Sequence, residues 1–313
     1  MIYLRDFEFH DSYYEHLILS LEHRTCFRDI YPFDVFPAVG LTKLVFEPVT
    51  ILYGGNGSGK STALNIIASK LGLQRYVPFV TTHFFTQYVN GAEGFDEHGN
   101  WIKALGVSFH ADMIPPGSRI LCSEDVFERT LRIRERNDEM NRRRDELRRE
   151  WRQAKNVDNR RESVDGNSSE EWCRIHELQK KSFSAIVRDE IGYNRRLGSN
   201  GENAFDFFMG ELEKNALYLL DEPENSMSAK WLVKLVAYIE GLARFENCQF
   251  VIATHSPFIL GIKGARIYDL DTFGAPARKW TELENVCEYF RLFHDRRDEF
   301  VMQAGGETAS VPD

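Results

Sequence analysis

The run Gly54-Gly55-Asn56-Gly57-Ser58-Gly59-Lys60-Ser61-Thr62 has the residue types and spacing of a phosphate-binding loop. Its glycines let the backbone fold back so that several N–H groups face one anion, an approach that a Cβ would obstruct. Lys60 adds a point charge for β- and γ-phosphates, and the Ser61 hydroxyl is a candidate ligand for Mg²⁺. Far downstream, Leu217-Tyr218-Leu219-Leu220 is a short apolar run that ends in Asp221-Glu222. Two adjacent carboxylates can divide the work of phosphoryl transfer to water: Asp221 holds the metal ion, and Glu222 polarises the attacking water. A lone Asp-Glu pair often does no more than close a strand. Its place after a phosphate loop and before Pro223-Glu224-Asn225-Ser226 favours the chemical reading.

These groups need elements to hold them. Val49, Ile51, Leu52 and Tyr53 predict a strand before the loop, and Ala63, Leu64, Ile66, Ile67 and Leu71 recur at helical spacing until Gly72. The helix dipole then favours an anion at its N-terminus. Gln249 to Thr254 predicts another buried strand and Trp231 to Leu242 an amphipathic helix, so strands and helices alternate as in a mostly parallel sheet covered by helices. Residues 1 to 48 alternate short apolar runs with Pro32, Pro37 and Gly40, which predicts an antiparallel β-layer. Pro78 to Gln87 reads as strand and loop, and Trp280 to Phe300 as helix with a frayed tail from Gln303. Between residues 123 and 192 long polar helical pattern replaces strands, with a break at Gly166-Asn167-Ser168-Ser169. The expected fold is therefore α/β, one domain over residues 1–313 of P-loop type. It has an N-terminal antiparallel layer, a mostly parallel sheet and an inserted helical hairpin over 123–192.

Composition limits the function classes. At 42% hydrophobic content the 313 residues can bury a large core, and no apolar run approaches the length of a membrane span. The start Met1-Ile2-Tyr3-Leu4-Arg5-Asp6 lacks a signal-peptide pattern, so a cytoplasmic protein is expected. The five cysteines, Cys26, Cys122, Cys173, Cys248 and Cys287, are scattered without a C-x-x-C pair, which supports neither a disulfide framework nor a zinc site. A net charge of −9 argues against a protein that coats nucleic acid with its whole surface. A local exception is the stretch from Arg129 to Arg161, with 13 basic against 7 acidic residues. It reads either as a solvated helix with charge pairs or as an electrostatic arm for a phosphate backbone or an acidic partner.

In this order, GGNGSGKST, LYLLDEPENS and VIATHSP resemble the ATP-binding-cassette (ABC) ATPase superfamily over nearly the whole chain. The resemblance implies ATP and Mg²⁺ as ligands. It also assigns His255 the switch-histidine role at the γ-phosphate, and makes Asn225, Ser226, Met227 and Ser228 the D-loop of a dimer interface. The signature motif falls on Leu197-Gly198-Ser199-Asn200-Gly201-Glu202, where Ser199 and Gly201 match the family pattern while Asn200 and Gly198 depart from it. Gln87 is the candidate Q-loop glutamine, which in the family reaches the Mg²⁺, and Tyr31 or Phe33 is the candidate for stacking on adenine. The leader Leu44-Val45-Phe46-Glu47-Pro48-Val49-Thr50 and the Ser-x-Gly-Glu signature look like the soluble SMC-like and RecF-like branch. That branch includes compact stand-alone ATPases of anti-phage defence and genome maintenance that act beside a separate effector.

The resemblance implies a homodimer that closes on ATP and switches an effector such as a nuclease or other toxin, without a membrane partner. An alternative is an ATP-dependent nucleic-acid clamp that grips the backbone through Arg142, Arg143, Arg144, Arg148, Arg149 and Arg152. A second alternative is the ATPase subunit of a transporter.

Overall fold

A computed structural model of the chain describes residues 1–21, 29–79, 81–91, 93–95, 101–102, 114–156 and 169–304. Cys26, the break at 166–168, Arg160, Arg161 and the tail from 305 lie outside the described residues. The chain divides into two compact units, one formed by 1–125 with 200–313 and the other by 126–199.

In the first unit, strand β1 (Asp6–Glu8) is followed by helices α1 (Ser12–Leu21) and α2 (Val35–Val39) and by strands β2 (Lys43–Val45) and β3 (Val49–Tyr53). All five residues of β3 are buried, as a central parallel strand requires. The loop after β3 leads into α3 (Lys60–Leu71), bounded by Gly59 at φ 91° and Gly72 at φ 64°. Both glycines occupy the left-handed region that a side chain disfavours. Next come α4 (His83–Gly91), β4 (Glu93–Phe95), β5 (Trp101–Ile102) and β6 (Arg119–Cys122). The antiparallel layer runs β2-β1-β4-β5, so among the described residues 1–48 supply two of its strands, with α1 and α2 between them. The strand and loop expected over 78–87 are corrected: among the described residues Pro78, Phe79, Thr81 and Thr82 lie in no strand, and α4 begins at His83. Phe84, Phe85, Tyr88 and Val89 are all buried, an i, i+1, i+4, i+5 pattern that places one helical face on the core.

The described elements of the second unit are helices. Helix α5 (Ser123–Asn156) enters it, and α6 (Ser169–Lys180) and α7 (Phe183–Glu190) complete it. Its small core joins Leu147 and Ala154 of α5 to Leu178 and Ile186, with Trp151 and Phe183 packed alongside. Ser182 caps α7 by accepting from Ala185 N.

Returning to the first unit, α8 (Asn200–Glu211), β7 (Leu217–Asp221), α9 (Ala229–Phe245), β8 (Gln249–Thr254) and α10 (Pro257–Leu260) alternate as the sequence predicts. Strands β9 (Arg266–Asp269) and β10 (Ala277–Arg278) follow, then a 3-10 turn at Trp280–Glu282 and helices α11 (Glu284–Asp295) and α12 (Arg297–Ala304). The main sheet has the order β10-β9-β3-β8-β7-β6 and is parallel throughout except at β10. Its core packs Leu52, Leu219 and Val251 of the sheet with Ala63, Leu64 and Ile67 of α3 and Phe7 and Leu44 of the antiparallel layer. The three strands β3, β8 and β7 lie side by side, so their C-terminal ends share one edge, where open α/β sheets present ligand sites.

Candidate nucleotide-binding and catalytic site

Register decides what meets at that edge. Tyr53 pairs with Thr254, and Asp221 with Ala253. The first residues beyond the strands are therefore Gly54, His255 and Glu222, brought level although the chain separates them widely.

The loop after β3 has the shape its composition predicts. Gly54, Gly57 and Gly59 have φ of 159°, 84° and 91°. A Cβ on Gly59 would stand 2.9 Å from Val35 Cγ1 of α2, and one on Gly54 2.5 Å from Ser58 Oγ. Lys60 is only 4% exposed, and its Nζ donates to the carbonyls of Gly54 at 2.7 Å and Gly55 at 2.8 Å. The ammonium is thus aimed back over the loop, where an anion held by the loop's N–H groups would meet it.

The Ser61 hydroxyl donates to Asp221 Oδ1 at 2.9 Å. Burial pushes the Asp221 carboxyl up to about 6; the Ser61 bond lowers it and the neighbouring Glu222 charge raises it. A half-buried carboxylate one hydrogen bond from a serine hydroxyl offers two hard oxygen donors. That set fits Mg²⁺, which is commonly held by one carboxylate together with substrate phosphates and water. Among the described residues no group of three or more His, Cys, Asp or Glu converges as a preformed metal cage. When bound, the ion would neutralise charge on the phosphates.

Glu222 adopts φ 46°, a left-handed conformation uncommon for a side-chain-bearing residue, and its N–H donates to Ala253 O at 2.9 Å. The turn swings the carboxylate out of the strand alternation, and Asn225 Nδ2 donates to Glu222 Oε2 at 2.9 Å. His255 Nδ1 lies 4.0 Å from Glu222 Oε1 and 3.6 Å from Glu224 Oε1. Glu224 itself is buried, accepting from His255 N at 3.1 Å and from the Thr254 hydroxyl. Asn285 of α11 holds the same corner, its Nδ2 donating to His255 O at 3.1 Å.

Other sequence candidates fall in different places. Phe33 is only 2% exposed, edge-on to Phe84 and Tyr88, so it is a core residue and not a platform for adenine. Tyr31 is half-buried, and its hydroxyl donates to Thr62 Oγ1 at 3.3 Å, beside the loop. Gln87 lies exposed on α4 and makes no hydrogen bond to Ser61 or Asp221 among the described residues. Ser199 precedes α8 and Gly201 stands in its first turn. A Cβ on Gly201 would come 3.2 Å from Ser226 O, so the glycine permits close contact with the segment after β7.

Half of the arginine arm is paired. Arg143 reaches Glu146 at 3.2 Å and Glu150 at 3.3 Å, Arg148 reaches Asp145 at 3.5 Å, and Arg144 bonds Asn141 at 2.8 Å and Asn194 at 2.9 Å. Arg142, Arg149 and Arg152 are exposed and have no ion pair among the described residues. At 3.6 residues per turn they share the face of α5 opposite the buried Leu147 and Ala154.

Sequence reasoning missed Asp271. Its two carboxylate oxygens each accept from Gly55 N at 2.9 Å, bracing the phosphate loop from the segment after β9. No local pattern marks it, because the partners are 216 residues apart. Asn225 and Glu224 were visible only as neighbours of the acidic pair.

Residues 128–261 match a family described as an AAA domain, putative AbiEii toxin, Type IV TA system. The match starts within α5, after the phosphate loop, and takes in Asp221, Glu222 and His255. No curated protein matches the chain. Among solved structures, the ATP-binding cassette MJ0796, a dimer in a post-hydrolysis state with ADP and Pi, is 16% identical over 76% of this chain and 88% of that chain, with a TM-score of 0.37. The Smc head domain of Pyrococcus furiosus, with an extended coiled coil and bound to the C-terminal domain of ScpA, is 12% identical over 80% of this chain and 95% of that chain, with a TM-score of 0.39. The SMC head domain from Thermotoga maritima is 15% identical over 72% of this chain and 88% of that chain, with a TM-score of 0.29. Among the described residues no helix is long and apolar enough to cross a membrane. A phosphate loop after β3, paired carboxylates closing β7 and a histidine beyond β8 stand in this order on neighbouring parallel strands, an arrangement similar to that of ABC- and SMC-like ATPases.

Proposed function

We propose that the chain hydrolyses ATP as a timed switch. Two copies close around two ATP molecules, each held by Lys60, Ser61 and Asp221 of one copy and by Ser199 and Gly201 of the other. Closure and hydrolysis then switch a separate effector, such as a nuclease or other toxin, in anti-phage defence or DNA maintenance. The observation that carries this reading is the meeting of Ser61 and Asp221 at 2.9 Å with Glu222 and His255 on the adjoining strand ends. Glu222 is the general base toward water, His255 steadies the γ-phosphate end, and Lys60 with the loop N–H groups stabilises the charge that develops. The family description of the matched region, with its toxin–antitoxin setting, supports an effector beside the ATPase.

Glu222→Gln tests it. The amide keeps the shape and loses the base, so turnover should fall by about 10²- to 10⁴-fold, while ATP still binds and a closed dimer accumulates on size exclusion with light scattering. Turnover equal to that of the unmodified protein would move the base elsewhere and defeat the proposal.

The unpaired face of Arg142, Arg149 and Arg152 favours one second reading, a clamp on nucleic acid whose grip ATP sets.

A further inference from the structure

One peptide unit of the phosphate loop is held between two opposite charges. The Gly54 carbonyl accepts from Lys60 Nζ at 2.7 Å, and the Gly55 N–H of the same peptide donates to both Asp271 oxygens at 2.9 Å. Carbonyl and N–H point opposite ways across a trans peptide, so the ammonium and the carboxylate pull along its dipole in the same sense. Turning the plane over would set the carbonyl against the carboxylate and the N–H against the ammonium. Such a lock matters most here, because both residues of the unit are glycines and the backbone turns freely where there is no Cβ. Asp271 also fills the space at this bend: a Cβ on Gly54 would stand 3.1 Å from its Oδ1.

The carboxylate is the fixed end of the arrangement. Strand β9 runs parallel to β3 with Asp269 opposite Tyr53, and Leu270 N donates to Tyr53 O at 2.9 Å. Asp269 is buried and gathers the turn that follows. Its Oδ1 accepts from Asp271 N at 3.1 Å, and its Oδ2 accepts from the Thr272 hydroxyl at 2.7 Å and pairs with Arg278 Nε of β10 at 3.0 Å. Gly274 N donates to Val39 O at 2.9 Å, which pins the turn to α2, the helix whose Val35 closes on Gly59. Lys60 is the movable end. Phosphates held by the loop N–H groups draw its ammonium from the carbonyls, and Asp271 is then the charge that still fixes the Gly54-Gly55 peptide.

We infer that Asp271 is a positioning residue for nucleotide binding, which locks the Gly54-Gly55 peptide so that the loop keeps its shape while Lys60 turns from carbonyls to phosphate. The inference rests on the proposed ATP site, and ADP with Mg²⁺ probes it without hydrolysis. By calorimetry Asp271→Ala should bind ADP about tenfold more weakly, the scale of ordering one backbone residue on binding. Asp271→Asn keeps an acceptor for Gly55 N and should come within about threefold of the unmodified protein. In steady-state hydrolysis the alanine variant should raise KM with kcat little changed, the signature of lost ground-state binding. Because Asp271 is exposed, that variant should unfold at nearly the same urea concentration as the unmodified chain. A brace that served stability alone would move the urea midpoint and leave the affinity in place. ADP affinity in Asp271→Ala equal to or tighter than that of the unmodified protein, or an asparagine variant as weak as the alanine one, would overturn the inference. Lys60→Ala, measured alongside, separates the two failures. If it binds ADP as tightly as the unmodified protein, the ATP site itself falls; if it loses ADP while Asp271→Ala does not weaken, only the role of Asp271 falls.

Discussion

Glu15 gives a quantitative handle on how the phosphate loop is supported. It is 1% exposed, on α1, and its Oε2 accepts from Asp34 N at 2.6 Å. Asp34 begins α2 in a left-handed conformation, and Val35 of that helix closes on Gly59. Burial pushes the Glu15 carboxyl from 4.5 up to about 7; the Asp34 backbone bond pulls it down, and the charges of Asp34 and Asp11 push it up. His10, Tyr14 and Tyr88 surround the same corner. A carboxyl raised on folding contributes stability that is fully present below 4.5 and is lost as the pH rises through about 7. At about 1.4 kcal/mol per pH unit, ionising it costs the fold on the order of 3 kcal/mol. Glu15→Gln keeps an acceptor for Asp34 N and cannot ionise. Urea denaturation of both proteins at about pH 5 and pH 8 should show the variant gaining on the unmodified chain by roughly 2 to 3 kcal/mol between the two. Taking the difference cancels the other titrating groups. A constant gap across that range, or a variant less stable at the higher pH than the lower relative to the unmodified chain, would refute the reasoning.

Lys60→Ala should weaken ATP binding on the order of a hundredfold or more, the loss of a charge-assisted contact. Because Lys60 is buried and bonds two carbonyls, the variant should also lose about 1 to 3 kcal/mol of stability; unchanged affinity by calorimetry would remove the P-loop assignment. His255→Ala should lower kcat on the order of a hundredfold with KM little changed, and the reverse ranking in steady-state kinetics would count against the switch role. For the arm, the informative set is Arg142, Arg149 and Arg152 changed together to Ala. If they grip a backbone, the slope of log affinity against log salt should shrink by about one unit for each contacting arginine removed. Equal duplex and single-strand binding before and after, with ATPase intact, would leave a solvated helix.

The elements that hold the chemistry were legible because each has a single strong period. The strand Val49–Tyr53, the helix after it and the apolar run Leu217–Asp221 are buried in the pattern their residues prescribe. The N-terminal region and residues 78–91 were harder, since densely placed aromatics satisfy both periods locally. Only the burial of Phe84, Phe85, Tyr88 and Val89 together separates helix from strand. The arm's surplus charge was visible as a count, but which arginines stay unpaired depends on rotamers and on Asn194 from another segment. Asp271 had no signal at all, because a brace on Gly55 is a property of β9 lying beside β3.

That neighbour relation also sets where Glu222 stands. Strand β8 lies between β3 and β7 and sets the level of both, with Thr254 opposite Tyr53 and Ala253 opposite Asp221. Strand side chains alternate, so a residue continuing β7 would point away from Asp221. The positive φ of Glu222 breaks the alternation at the first residue past the strand, and the bond from Asn225 holds the result. Strain of this kind persists only where surrounding contacts determine it. The bond from Asn225 is one of the contacts that fix the carboxylate of the proposed base.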